Sequence, residues 1–144
     1  MSRIISYRGL VADGVQAMIP LQTNKGLIGY RIKKFEAMFQ NHAGLSTEAT
    51  LKIFSVEQTT VDAEIDFSNQ TLLAAAFIEN SSATTTFGGK TIIFGDMVFN
   101  QDIYVTYSEA GNAQAGNYYI ELEQMDLALD EATVATLKDI RNND

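Results

Sequence analysis

The chain has no cysteine and no tryptophan, and only one histidine and one proline among its 144 residues. The missing cysteine removes disulfides, thiolate metal sites and cysteine nucleophiles together. A single histidine, His42, cannot build a histidine metal cluster. A Ser-His-Asp triad would have to use it, yet no Gly-x-Ser-x-Gly elbow is present. In the polar stretch Gln40-Asn41-His42-Ala43-Gly44 it reads as an exposed loop residue. Long apolar runs are missing too. The leading MSRIISYRGL holds no segment of signal-peptide type, and the later run Leu72 to Ile78 is too short to span a bilayer, so a soluble protein with no membrane partner is expected.

What is present points to β-structure. With 46% hydrophobic residues, a chain of this length fits one domain over residues 1–144, burying roughly 65 to 70% of its unfolded surface. The block Thr91 to Tyr107 (TIIFGDMVFNQDIYVTY) is dense in β-branched and aromatic residues, interrupted by Asn100-Gln101-Asp102, and reads as a central hairpin. Arg3 to Tyr7 and Gly14 to Leu21 are short strands about the turn Ala12-Asp13-Gly14, with Pro20 marking an edge or a strand end. Residues 1–26 are thus an arm or extra strands. In Leu27 to Phe39 the apolar parity switches between Lys33 and Lys34, which predicts a β-bulge or a corner there. Ala49 to Val56 alternates as a strand with one wet face. Val61 to Phe67 suits a short strand or an extended loop, and Leu72 to Ile78 a buried strand. Ser108 to Gly116, rich in small residues, predicts a mobile loop. Asn117 to Leu127 alternates most cleanly, Tyr118, Ile120 and Leu122 inward against Tyr119, Glu121 and Glu123.

The period then changes to a helical one. Asp130 as N-cap, Glu131 in the first turn, Leu129 stapled on Val134, and the stripe Val134, Leu137, Ile140 predict a helix over 131–141, with Lys138 and Arg141 at the favourable end of its dipole. About eight strands joined by Gly, Asn and Ser turns, followed by one short C-terminal α-helix, define the expected fold class. It is all-β: an antiparallel β-sandwich of jelly-roll type.

Motifs with chemical meaning are weak. Gly89-Lys90-Thr91 has the ending of a phosphate-binding loop. Thr84 stands where that motif needs its first glycine, and strand residues follow where it needs a helix, so Phe87 to Thr91 reads as a hairpin turn. Asp62, Glu64 and Asp66 place three carboxylates on one face of an extended segment. That row could hold Ca²⁺, although Phe67 and Leu73 occupy the glycine and glutamate positions of an EF-hand loop, and a solvated face explains it as well. Glu121 and Glu123 have the spacing of a carboxylate pair, but without tryptophan there is no sugar platform of the usual kind. Asn69-Gln70-Thr71 and Asn80-Ser81-Ser82 match glycosylation sequons. No cofactor is called for, and no enzyme is expected.

The formal net charge of -8 is unevenly spread. Residues 1–34 hold six bases (Arg3, Arg8, Lys25, Arg31, Lys33, Lys34) against the one acid Asp13, leaving four bases and 17 acids for the rest. Such a chain can pair with its own copies or dock its basic end on an acidic neighbour; ordinary solvated surface is the other reading. Overall negative charge disfavours nucleic acid as a partner.

GYRIKKFEAMF (29–39), TLKIFSVEQTTVDAEIDFSNQTLLAAAFIEN (50–80), MVFNQDIYVTY (97–107) and NYYIELEQMDLALDEATVATLKDIRN (117–142) together resemble small virion structural proteins from tailed phages of marine bacteria. The resemblance spans about residues 27–142 and carries no signature of chemistry. It implies a non-enzymatic particle component, such as a head decoration or cement protein, working as a homo-oligomer in contact with a major capsid or other virion protein and residing in the virion. The alternative is a carbohydrate- or receptor-binding β-sandwich that uses the Ser108 to Gly116 loop and, with Ca²⁺, the Asp62, Glu64, Asp66 row.

Overall fold

A computed structural model describes residues 3–41, 46–81, 86–128, 130–133 and 135–136. Eight strands follow one another: β1 (Arg3–Val11), β2 (Val15–Ile19), β3 (Ile28–Phe39), β4 (Thr47–Phe54), β5 (Leu72–Ser81), β6 (Thr86–Ile93), β7 (Ile103–Ala110) and β8 (Gly116–Asp126). They form two antiparallel sheets, ordered β1-β8-β3 and β2-β7-β4-β5-β6. The first residues are therefore strands of the sandwich. β1 and β2 enter opposite sheets across the turn at Gly14, whose φ of 78° suits glycine.

The pairing is that of a jelly roll with one rung replaced. In a jelly roll the first strand meets the last, and successive pairs wind inward from there. Here β1 meets β8, β2 meets β7 and β4 meets β5. The remaining partnership, β3 with β6, is not made: β6 extends the five-stranded sheet beside β5, and β3 instead forms one isolated bridge, Tyr30 with Phe99 of the segment between β6 and β7.

This corrects two sequence expectations. Thr91 to Tyr107 is not a hairpin, because β4 and β5 lie between β6 and β7. Asn100-Gln101-Asp102 is polar for another reason than turning the chain. Asn100 is 0% exposed, and its amide donates to the carbonyls of Gly26 (3.0 Å) and Ala132 (3.3 Å) and to Thr136 Oγ1 (2.9 Å). Asp102 Oδ1 accepts from the backbone N–H groups of Leu21 (2.8 Å) and Gln22 (2.9 Å). These side chains bind distant segments. Nor is the glycine pair at 88–89 a turn; it lies within β6, opposite Glu79 and Ile78. A Cβ on Gly88 would come within 2.7 Å of the Glu79 carboxylate, and one on Gly89 within 3.1 Å of the Phe77 carbonyl, so the glycines let β6 lie close on β5.

Most other strand positions hold, but the expected wet face of Ala49 to Val56 is buried at Thr50 and Lys52, and the expected loop Ser108 to Gly116 shrinks to residues 111–115 because β7 runs on to Ala110 and β8 begins at Gly116. The register of β3 slips between Ile32 and Lys34, leaving Lys33 as the extra residue that returns Phe35 and Phe39 to the core. β2 stops before Pro20 and is an edge. Val61 to Phe67 is loop. Residues 130–133 and 135–136 are helical, but the cap differs from the one expected. Ala132 N–H donates to Ala128 O at 2.9 Å, so Ala128 holds the N-cap position, and Glu131, three residues on, accepts from Ala128 N–H at 3.0 Å. Asp130 sits inside the first turn and accepts from Glu131 N–H. Leu129, Val134, Leu137, Lys138, Ile140 and Arg141 lie outside the described residues, as does His42.

A single large core cluster takes Val11, Ile19, Tyr30, Ile32, Phe35, Phe39, Leu51, Ile53, Leu73, Phe99, Ile103, Val105, Tyr107, Tyr118, Ile120 and Leu122 from both sheets. In it the ring of Tyr107 on β7 lies against Gly116 on β8, where any Cβ would fall well inside van der Waals contact with the ring. Tyr107 is fully buried, and among the described residues its hydroxyl has no hydrogen-bond partner. Gly116→Ala is expected to cost about 2 to 3 kcal/mol through overpacking. Tyr107→Phe, which keeps the ring and deletes the unpaired hydroxyl, should leave stability unchanged or raise it by about 1 kcal/mol. Urea unfolding midpoints of the two variants check both values.

Candidate interaction surface

The three-stranded sheet turns one face to the core and the other outward, and its register orders the outward side chains in rows. Ile4, Glu123 and Arg31 form one row, Ser6, Glu121 and Lys34 the next, then Arg8, Tyr119 and Glu36, then Leu10, Asn117 and Met38. Five of the six predicted bases, Arg3, Arg8, Arg31, Lys33 and Lys34, thus come to β1 and β3, but the acids of β8 lie between the two strands. Arg31 Nε pairs with Glu123 Oε1 at 2.5 Å. Lys34 stands opposite Glu121. Tyr119 donates to Glu121 Oε2 at 2.7 Å, and this bond holds the tyrosine pKa above its ordinary value. Arg3 hydrogen-bonds Gln124 at 3.2 Å at the end of the sheet. Lys25 is exposed in the loop after β2, and Lys33 is exposed at the bulge. The leading bases therefore make an alternating positive and negative face rather than one positive patch.

Apolar side chains stand at the corners of that face. Ile4 and Leu10 are each 53% exposed and Met38 is 61% exposed. Between Leu10 and Met38 runs an open groove of about 490 Å³, lined by Arg8, Leu10, Glu36, Met38, Asn117 and Tyr119. Chemically, this is a contact surface of mixed aliphatic, aromatic and charged groups.

The five-stranded sheet is covered differently, by a strap over residues 55–71. Lys52, expected on a wet face, is only 5% exposed. Its ammonium donates to Asp62 Oδ1 (2.9 Å) and to Glu64 O (2.6 Å), and the bond from Lys52 holds the Asp62 carboxyl below its usual range. Gln16 fastens the other end, its amide exchanging two hydrogen bonds with the backbone of Gln58 (2.7 and 3.0 Å). Phe67 stands edge-on to Phe94. The expected carboxylate row does not converge. Asp62 is taken by Lys52, Asp66 accepts from the backbone N–H and hydroxyl of Ser68, and no group of three potential metal ligands occurs among the described residues. Asn69 accepts from the N–H and hydroxyl of Thr71, which closes a local turn at the first sequon; Asn80, of the second, is buried.

The loop 111–115 hangs on Glu109, a residue no motif distinguishes. Its buried carboxylate accepts from the Thr47 hydroxyl and from the N–H groups of Asn112 (3.0 Å) and Gln114 (2.7 Å). Asn112 also donates to Ser46 O, and Gln114 accepts from Asn41 N–H. The small residues serve a close turn with positive φ at Gly111 (118°) and Ala113 (52°). An acidic residue near the end of a strand, two positions before the Gly111-Asn112 turn, was the one local signal.

No protein-family model matches the chain, and no curated protein matches it. Among solved structures it aligns with a protein of Bacillus endospore appendages, described as disulfide-linked pili, at 13% identity over 89% of this chain and 92% of that one, with a TM-score of 0.36. The extra small virus particle of the giant freshwater prawn Macrobrachium rosenbergii aligns at 12% identity over 83% and 79%, TM-score 0.32. A Bauhinia forficata lectin in complex with GalNAc aligns at 7% identity over 89% and 100%, TM-score 0.25. At such scores these likenesses decide nothing about this chain, which has no cysteine with which to make a disulfide-linked fibre.

Two outcomes are expected. Burial alone would raise the pKa of Glu109, but the hydrogen bonds from Thr47 and from the N–H groups of Asn112, Gln114 and Ala113 outweigh it and hold the carboxyl below its usual range. A folded pKa below the unfolded one stabilises fully above the ordinary value of about 4.3, and that contribution is lost as pH falls through the folded pKa. Glu109→Gln should therefore cost about 1 to 3 kcal/mol at neutral pH and flatten the acid limb of the stability curve, read from chemical denaturation across pH. Millimolar Ca²⁺ or a chelator should leave the Tm unchanged by calorimetry; a calcium-dependent rise would mark the Asp62, Glu64, Asp66 segment as a metal site.

Proposed function

We propose that the protein is a non-enzymatic structural subunit of a bacteriophage particle, a head decoration or cement protein or a similar accessory component, which assembles with its own copies and with a shell protein of the virion. The observation that carries this reading is the outer face of the β1-β8-β3 sheet. It exposes Ile4, Leu10 and Met38 to solvent among interleaved charges of both signs, a composition that a neighbouring protein can cover. The rest of the chain supports it. A rigid sandwich offers flat faces and edges for repeated packing in symmetric arrays, and the strap over the five-stranded sheet closes much of the second face. Among the described residues, no helix is long and apolar enough to cross a membrane.

Purified particles supply the test. Mass spectrometry should find the protein in gradient-purified virions at a fixed ratio to the major shell protein, and negative-stain imaging should show particles changed in outline or less stable when it is deleted. Its presence in the infected-cell lysate alone, with none in particles, would overturn the reading.

A further inference from the structure

The sandwich has four strand edges, and three carry devices that discourage pairing with another chain. β2 is only five residues long, ends at Pro20, and has Gln16 already engaged with the strap. β3 is interrupted by its bulge, presents exposed Lys33 and Lys34, and is bridged at Tyr30 by Phe99. β6 holds Gly88 and Gly89, which offer no side chains to pack on a partner strand, and Lys90; β1 also carries charge, at Arg3 and Arg8, but its one glycine stands alone. β1 differs. It runs nine residues in unbroken register with β8, without proline or bulge, and among the described residues no strand pairs with its other side.

We infer that the free edge of β1 is where a second copy of this chain binds, the two β1 strands pairing antiparallel about a two-fold axis through Tyr7. This rests on the proposed self-assembly and names its interface. Outward residues must meet outward residues, so the register changes only in steps of two, and the axis through Tyr7 is the one that overlaps all nine residues, Arg3–Val11. In that register Ile4 of one copy faces Leu10 of the other, twice over, so the two exposed aliphatic residues of the strand cover each other. Arg8 faces Ser6. Ser6 is short, and beyond it in the same row stands Glu121 of the second copy, within the span of an arginine side chain, so each Arg8 gains an acid across the axis. No like charges meet: Arg3 falls opposite Val11 and Ile5 opposite Gly9. The two three-stranded sheets become one of six strands, with isologous symmetry and main-chain hydrogen bonds supplying the join.

The absence of native cysteine makes the register directly testable. In the full chain, Ile4→Cys together with Leu10→Cys places thiols on directly opposed residues, whose Cα separation of about 4.5 to 5.5 Å in an antiparallel pair suits a disulfide. Within one copy the two positions are about 20 Å apart along the strand, as are two copies of position 4 across the axis. Mild oxidation should convert the double variant to a covalent dimer on non-reducing gels, while either single variant stays monomeric. Both side chains are more than half exposed, so circular dichroism should be unchanged. Ile4→Lys with Leu10→Lys should weaken dimerisation, measured by sedimentation, by at least roughly tenfold. Persistent assembly by light scattering without the double-variant cross-link, or single variants cross-linking as well as the double, overturns the β1 interface alone. A chain that stays monomeric at every concentration and is missing from particles overturns the functional reading as well.

Discussion

The ring of Tyr107 fills the space that a side chain on Gly116 would need, and the two sheets can close on each other because that position is bare. β7 lies in one sheet and β8 in the other, so this contact sets their spacing at the end where the chain passes between them. Burial pushes the Tyr107 phenol well above its ordinary pKa, with the acids Glu109 and Asp13 adding to the shift. The group is neutral at any physiological pH, and its unpaired hydroxyl is a cost borne for the volume of the ring. Around it, Leu51, Ile53, Ile103, Val105, Ile120 and Leu122 complete a dry core.

Polar side chains then do what the missing disulfides would do in another small sandwich. Asn100 binds the loop before β3 to the helical segment, Asp102 holds the chain after β2, Lys52 holds the strap, and Glu109 holds the loop between β7 and β8. Each is buried or half-buried and binds residues far away in sequence or in an adjoining turn. Such groups are costly to leave unsatisfied, so they favour one arrangement of the loops over its alternatives.

This division of labour leaves the outer face of β1-β8-β3 exposed, with Ile4, Leu10 and Met38 in solvent. Its charges are compensated within the sheet, Arg31 by Glu123 and Lys34 beside Glu121, which limits long-range attraction and keeps solvation manageable. In the proposed assembly the aliphatic side chains at its corners would supply contact area, and the alternating charges register and selectivity. A surface of this kind binds by shape and pairing rather than by a single strong field.

Local pattern determined a good deal. The alternation of Tyr118, Ile120 and Leu122 against Glu121 and Glu123 defines β8, the parity switch at Lys33 defines the bulge, and Pro20 marks the end of an edge strand, because each is a property of neighbouring residues on one strand. The all-β sandwich follows from the sum of such segments. Tertiary structure alone decided which strands are partners. Ile92 and Tyr104 look equally ready to pair, yet two other strands separate theirs, since pairing depends on chain crossings that no local window contains. It also decided what the polar residues are for. Asn100 and Asp102 have the composition of a turn, Lys52 that of a wet face and Gly88-Gly89 that of a loop, and each answers a group on another segment of the chain. The basic residues of the leading third cluster along the chain but alternate with acids in space, because β8, from the far end of the sequence, inserts its glutamates between β1 and β3.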